Sequence, residues 1–116
     1  VKASETSLSR AIRQALELKG CHCIRINSGK VEAVHGGWVQ GAPKGTPDMI
    51  VIRPLFGYYA GPPTANAPAQ FTFLEVKTPK GKLSADQLRW FGWAEMNGVR
   101  CRCVRSISEA VKAVFG

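Results

Sequence analysis

The stretch Phe71-Thr72-Phe73-Leu74-Glu75-Val76-Lys77 constrains the fold most, because it has the apolar content of a buried strand yet carries an acid and a base two positions apart. Side chains alternate across a strand, so Phe71, Phe73, Glu75 and Lys77 share one face while Thr72, Leu74 and Val76 share the other. The two charges therefore continue an apolar face. A buried carboxylate is costly unless it is paired, hydrogen-bonded or bound to a metal, so a partner must meet Glu75 at the end of this strand. Gly45-Thr46-Pro47-Asp48-Met49-Ile50-Val51-Ile52 supplies a candidate, a Gly/Pro turn running into an apolar strand with Asp48 at its mouth. Proline lacks an N–H and suits the start of a ladder, which puts Asp48 at a strand end as well. If the two strands pair, two carboxylates and one ammonium converge on one edge of a sheet. Such a site suits a hard divalent cation, with a lysine near whatever anion the cation holds.

The rest of the chain is read around these strands. Residues 4–19 have the spacing of an amphipathic helix, with Leu8, Ala11, Ile12, Ala15 and Leu16 on one face and Ser4 placed to cap it. Glu5 lies one turn before Leu8 on the same stripe. It reads as a first-turn acid favoured by the helix dipole and, given two other inward acids, as a third member of the cluster. Gly20 ends the helix, residues 21–26 form a strand with Ile24 and Ile26 on one face, and Asn27-Ser28-Gly29 turns the chain. Residues 30–44 alternate weakly between glycines, which predicts a short twisted hairpin or a mobile flap. Its Lys30, His35, Trp38 and Lys44 suit either phosphate contact with base stacking or an ordinary surface hairpin. Residues 54–70 read as a long loop, with Phe56, Tyr58 and Tyr59 available for a subunit interface, a wedge against a nucleic-acid branch, or packing back on the core.

Beyond Glu75 the chain turns at Thr78-Pro79 and through the basic Lys80-Gly81-Lys82. Ser84 and Gln87 then form a capping-box pattern, with Leu83 set to staple against Leu88. Leu88, Phe91 and Ala94 are the expected inner face of this helix, and Gln87 faces the sheet that carries Glu75. Trp90 and Trp93 are expected in the core or at an interface. Asn97-Gly98 stops the helix. Residues 99–104 make a strand with Arg100 and Arg102 on one face, which either extend a phosphate-binding surface or are solubilising charges. Residues 106–115 form a last helix with Ile107, Ala110, Val111 and Val114 inward. The order predicts an α/β fold, a mixed sheet with helices on both sides, in one domain spanning residues 1–116.

Charge narrows the partner. Sixteen Lys plus Arg against eight Asp plus Glu give a formal net charge of +8, which in a folded domain points to a polyanion, most often nucleic acid. A non-catalytic basic binding module would explain that charge. It would not explain three acids on otherwise apolar elements, because acids repel phosphate unless a cation intervenes. The four cysteines fall in two pairs, Cys21/Cys23 and Cys101/Cys103, at alternate strand positions. Structural zinc sites space cysteines two to four residues apart in turns, so these read as small buried hydrophobes. No signal peptide, membrane-spanning run or dense cysteine framework is evident, and a cytoplasmic location, in a bacterial cell or a phage-infected host, is expected.

Glu5, Gly45-Thr46-Pro47-Asp48, Glu75-Val76-Lys77 and Gln87, with Asn27-Ser28-Gly29 and Gly81-Lys82-Leu83-Ser84 between them, together resemble the PD-(D/E)XK nucleases. Within these the pattern is similar to the VRR-NUC group, the virus-type replication and repair nuclease domain, in its standalone form. The resemblance implies a restriction-endonuclease-like fold with an α-β-β-β-α-β core and metal-dependent hydrolysis of DNA phosphodiesters that leaves a 5′-phosphate. It implies that Asp48, Glu75 and the Val76 carbonyl ligate Mg2+ or Mn2+, with Glu5 completing the cluster directly or through water. Lys77 would position or help deprotonate the attacking water, and Gln87 would hold Lys77, the water or a phosphate. Lys44, Lys80, Lys82 and Arg89 are the expected DNA contacts. Standalone members resemble Holliday-junction resolvases in acting as homodimers, so a four-way junction is the expected substrate, with flap or other DNA cleavage as the alternative. Neither a membrane nor a small-molecule substrate is expected.

Overall fold

The computed structural model describes residues 2–55 and 68–116; the aromatic group Phe56, Tyr58 and Tyr59 lies outside the described residues. Helix α1 (Lys2–Leu18) leads into β1 (His22–Arg25) and a hairpin of β2 (Lys30–Glu32) and β3 (Trp38–Gln40). The chain continues through β4 (Met49–Pro54), β5 (Ala69–Val76), α2 (Ala85–Met96), β6 (Cys101–Val104) and α3 (Ile107–Phe115). The main sheet has the order β1-β4-β5-β6, antiparallel at the first two pairings and parallel between β5 and β6. This is the mixed sheet expected from the element order.

The two faces of the sheet are covered unequally. Met49, Val51, Leu74, Val76 and Val104 point to the face under α1 and α3, where Ile12, Leu16, Ala110 and Val114 complete a buried core. Thr72, Leu74 and Val76 alternate with Phe71, Phe73 and Glu75, as a period of two requires. On the opposite face Phe73 packs against Trp90 of α2, with ring centroids 4.9 Å apart, and Trp90 meets Trp93 edge-on at 5.6 Å. The register aligns Ile24, Ile50 and Phe73 in one row of that face and His22, Ile52 and Phe71 in the next.

Several local expectations give way to tertiary structure. Helix α1 starts at Lys2, so Ser4 lies in its first turn and is not its cap. The cysteines at β1 do turn to the core as expected, Cys21 buried just before the strand and Cys23 half-buried against it, whereas Ile24 on the other face is exposed, because α1 and α3 cover only one face of this edge strand. Leu88 is 57% exposed and Ala94 fully buried, with Trp90 and Phe91 half-buried, so the inward side of α2 runs through Trp90, Phe91 and Ala94 and leaves Leu88 outside it. Arg100 is no phosphate arm, since its guanidinium donates to the Ala113 carbonyl at 2.6 Å. Arg53 likewise donates to the Val114 carbonyl and lies over the Phe115 ring, so both arginines meet the negative end of α3. The cysteine pairs sit at β1, with Cys21 just before the strand, and on β6, with β4 and β5 between them, and all four thiols are free. Burial is the main cause raising each thiol's pKa. Among the described residues no helix is long and apolar enough to cross a membrane.

Candidate active site

Three backbone features bring the acids together. Glycine with positive φ at Gly45 lets the turn before β4 press against α2, where a Cβ would lie within 2.5 Å of the Asp86 carbonyl oxygen. Pro47, fully buried, then leads into β4 with Asp48 at its mouth. Beyond it, Ile26 N–H donates to the Asp48 carbonyl at 2.7 Å, so the end of β1 is tied to the same point. The Asn27-Ser28-Gly29 turn is held in turn by Gly41 and Ala42, which closes the base of the β2–β3 hairpin beside this strand end.

Glu5, Asp48 and Glu75 each offer one carboxylate oxygen, and the three oxygens lie within 4.8 Å of one another. They come from the first turn of α1, the start of β4 and the end of β5. The Asp48 carboxylate is oriented by Val76 N–H, which donates to Oδ2 at 2.7 Å. Glu75 is 2% exposed and its Oε1 has no hydrogen-bond partner among the described residues. Burial pushes its pKa up to about 8, reinforced by the charge of Asp48 and a hydrogen bond with it, opposed by Lys77 and further raised by Glu5. Lys77 Nζ stands 3.9 Å from Glu75 Oε2 with its side chain 14% exposed. Its own N–H is pinned to the Val104 carbonyl of β6.

This donor set fits a hard cation. Three carboxylate oxygens within 4.8 Å of one another, one of them from the buried Glu75, are repulsive as they stand, and a divalent ion bound by oxygen ligands resolves the repulsion. Among the described residues this is the one cluster of three or more acidic, histidine or cysteine side chains close enough to hold a metal.

The other site candidates divide. Gln87 forms the capping box: its Oε1 accepts from Ser84 N–H at 2.8 Å and its N–H donates to Ser84 Oγ at 3.2 Å. Its carboxamide nitrogen is what remains for other work. Lys44 and Arg89 both pair with Asp86, whereas Lys80 and Lys82 are exposed. Two arrangements were missed in the sequence. Arg105 donates to the Thr78 and Gly81 carbonyls, both at 2.6 Å, and clamps the turn that follows Lys77. And a cleft of about 420 Å³ opens beside the carboxylates, lined by Glu5, Thr6, Ser9, Arg10, Arg13, Arg25, Ile26 and Asp48. The i, i+3, i+4, i+7 spacing of Thr6, Ser9, Arg10 and Arg13 was the available signal, a polar stripe beside the apolar one.

A family model described as "VRR-NUC domain" matches residues 3–107. A solved structure titled "VRR_NUC domain" is similar in fold, with a TM-score of 0.58 and 19% sequence identity over 93% of this chain and 90% of that one. No curated protein matches significantly.

Proposed function

Because the chain belongs to the VRR-NUC domain family, whose members are nucleases of the PD-(D/E)XK type, we propose that it is a metal-dependent, structure-selective DNA endonuclease that resolves four-way junctions as a homodimer. The observation that carries the chemistry is the buried Glu75 carboxyl gathered with Asp48 and Glu5 at one point, with Lys77 alongside.

Asp48 and Glu75, with the Val76 carbonyl, would hold Mg2+ or Mn2+, and Glu5 would complete the set directly or through water. When bound, the ion polarises the scissile phosphate and lowers the pKa of a water. The chain's own residues do the rest. Val76 N–H fixes the Asp48 carboxylate so that its free oxygen is presented at one angle. Lys77, anchored by its backbone and close to Glu75, positions the attacking water by donating to it and offsets charge that builds on the phosphate oxygens. Gln87, rigid through its capping bond, can donate its amide N–H to that water or phosphate. Lys80 and Lys82, on the turn that Arg105 clamps, supply phosphate contacts next to the catalytic strand.

The dimer is supported by the half-open face of the sheet, where Ile24, Phe71 and Trp93 are 43%, 56% and 54% exposed. Apolar side chains left exposed on one face of the sheet and on the helix that packs there suit an association surface. Two copies joined by such a face carry two sites, which suits paired incision.

The test is cleavage of labelled four-way junction, flap and linear duplex by the wild type, Asp48→Ala and Lys77→Ala, each with Mg2+, Mn2+ or EDTA. Symmetric junction nicks that require metal, vanish in Asp48→Ala and fall at least about 10²-fold in Lys77→Ala are expected. Cutting of flaps or ends alone would overturn the substrate and keep the chemistry. Salt-sensitive binding with no metal-dependent cutting of any substrate would overturn the nuclease reading.

A further inference from the structure

The cleft beside the carboxylates carries more positive charge than its catalytic neighbours need. Arg10 and Arg13 project from α1 and Arg25 from the end of β1, and Thr6 and Ser9 add hydroxyls between them. The ion pairs of the described residues engage Lys44, Lys77 and Arg89, and none engages these three arginines. The cleft also holds Glu5 and Asp48, but none of the three guanidinium groups forms an ion pair with them, and a planar fork of donors on each suits phosphate oxygens. Lys44 and Arg89 differ in kind, because Asp86 already occupies them.

Resting on the nuclease reading of the adjacent carboxylates, we infer that this cleft is a strand-binding subsite in which Arg10, Arg13 and Arg25 grip the backbone phosphates next to the scissile one. The lining places Glu5 and Asp48 at one wall, so a strand whose scissile phosphate reaches the carboxylates continues directly between α1 and β1. The volume of about 420 Å³ lies in the range of sites that enclose small ligands and is ample for a short run of backbone. Charge also makes the subsite conditional. Three guanidinium groups face two carboxylates, a near balance that a divalent cation at the carboxylates turns strongly positive, so metal binding and strand entry reinforce each other. Contacts of this type set position and affinity without reading sequence.

Binding of the full chain to a fluorescein-labelled four-way junction, followed by anisotropy from low to moderate salt in Ca2+, tests the subsite. The variants are Arg10→Gln, Arg13→Gln, Arg25→Gln, the exposed pair Arg10→Gln/Arg25→Gln, and Lys112→Gln on α3 as a charge control. Each cleft substitution is expected to lower the slope of log affinity against log salt by roughly 0.7 to 0.9, the value for one phosphate contact, and the pair by about twice that. The control is expected to leave it unchanged. Arg10 and Arg25 are exposed, so the pair keeps the fold, and unchanged thermal unfolding verifies this. Wild-type slopes in the pair variant, or the same loss in Lys112→Gln, would overturn the subsite. The readout needs no cleavage: an inactive wild type with arginine-dependent slopes removes the nuclease reading alone, and an active one with unchanged slopes removes the subsite alone.

Discussion

Glu75 is the residue on which sequence, burial and chemistry meet. A carboxyl that is 2% exposed and held up to about pH 8 by burial and by Asp48 binds a proton in the folded chain that the unfolded chain, titrating near 4.5, gives up. Because the folded pKa is raised, this contribution to stability is fully present below about pH 4.5 and is lost as pH rises through about 8. Metal-free protein is therefore expected to lose Tm between pH 5 and pH 8.5, and Glu75→Gln, which stays neutral, to flatten that loss. A Tm profile in Glu75→Gln as steep as that of the wild type would assign the effect elsewhere. Cation binding selects the ionised carboxylate, so stabilisation by Mn2+ is expected to grow with pH across the same window, which differential scanning fluorimetry can follow.

Secondary elements position these side chains through their ends rather than their middles. Gly45 allows the turn before Asp48 to lie against the first turn of α2, and its positive φ excludes a Cβ on two counts, conformation and the nearby Asp86 backbone. Arg105 acts at the other end, where two charge-assisted bonds to Thr78 and Gly81 hold the turn leaving Lys77. Arg105→Ala is expected to cost on the order of 2 kcal/mol in denaturant unfolding and to loosen the turn, measured as faster amide exchange at residues 78–82. Exchange unchanged at those residues would show that the turn holds itself. The capping box of α2 was legible because Ser84 and Gln87 are local in sequence, three residues apart. The Arg105 clamp was not, since its partners lie more than twenty residues upstream and only the parallel β5–β6 pairing brings them near.

For the whole molecule, the unequal cover of the sheet is the dominant fact. One face is sealed by α1 and α3, and the other is left with Ile24, Phe71 and Trp93 half open beside the Phe73–Trp90 stack. In the dimer reading, light scattering of the wild type gives twice the chain mass and Phe71→Lys shifts it to the monomer with little change in Tm, because Phe71 is already 56% exposed. A monomeric wild type at micromolar concentration would overturn the dimer and leave the carboxylate chemistry untouched.

Local pattern alone determined the helices, the alternation of β5, the turn into Asp48 and the identity of the acids and lysine at the strand ends. Each of these follows from residues within one or two turns of each other, where spacing and capping act directly. Tertiary structure alone decided that Glu5, Asp48 and Glu75 share one point and that Arg100 serves α3 while Arg10, Arg13 and Arg25 line the cleft. The reason is that a side chain's neighbours across a sheet are set by strand order and register, and which face becomes interior is set by where the helices pack.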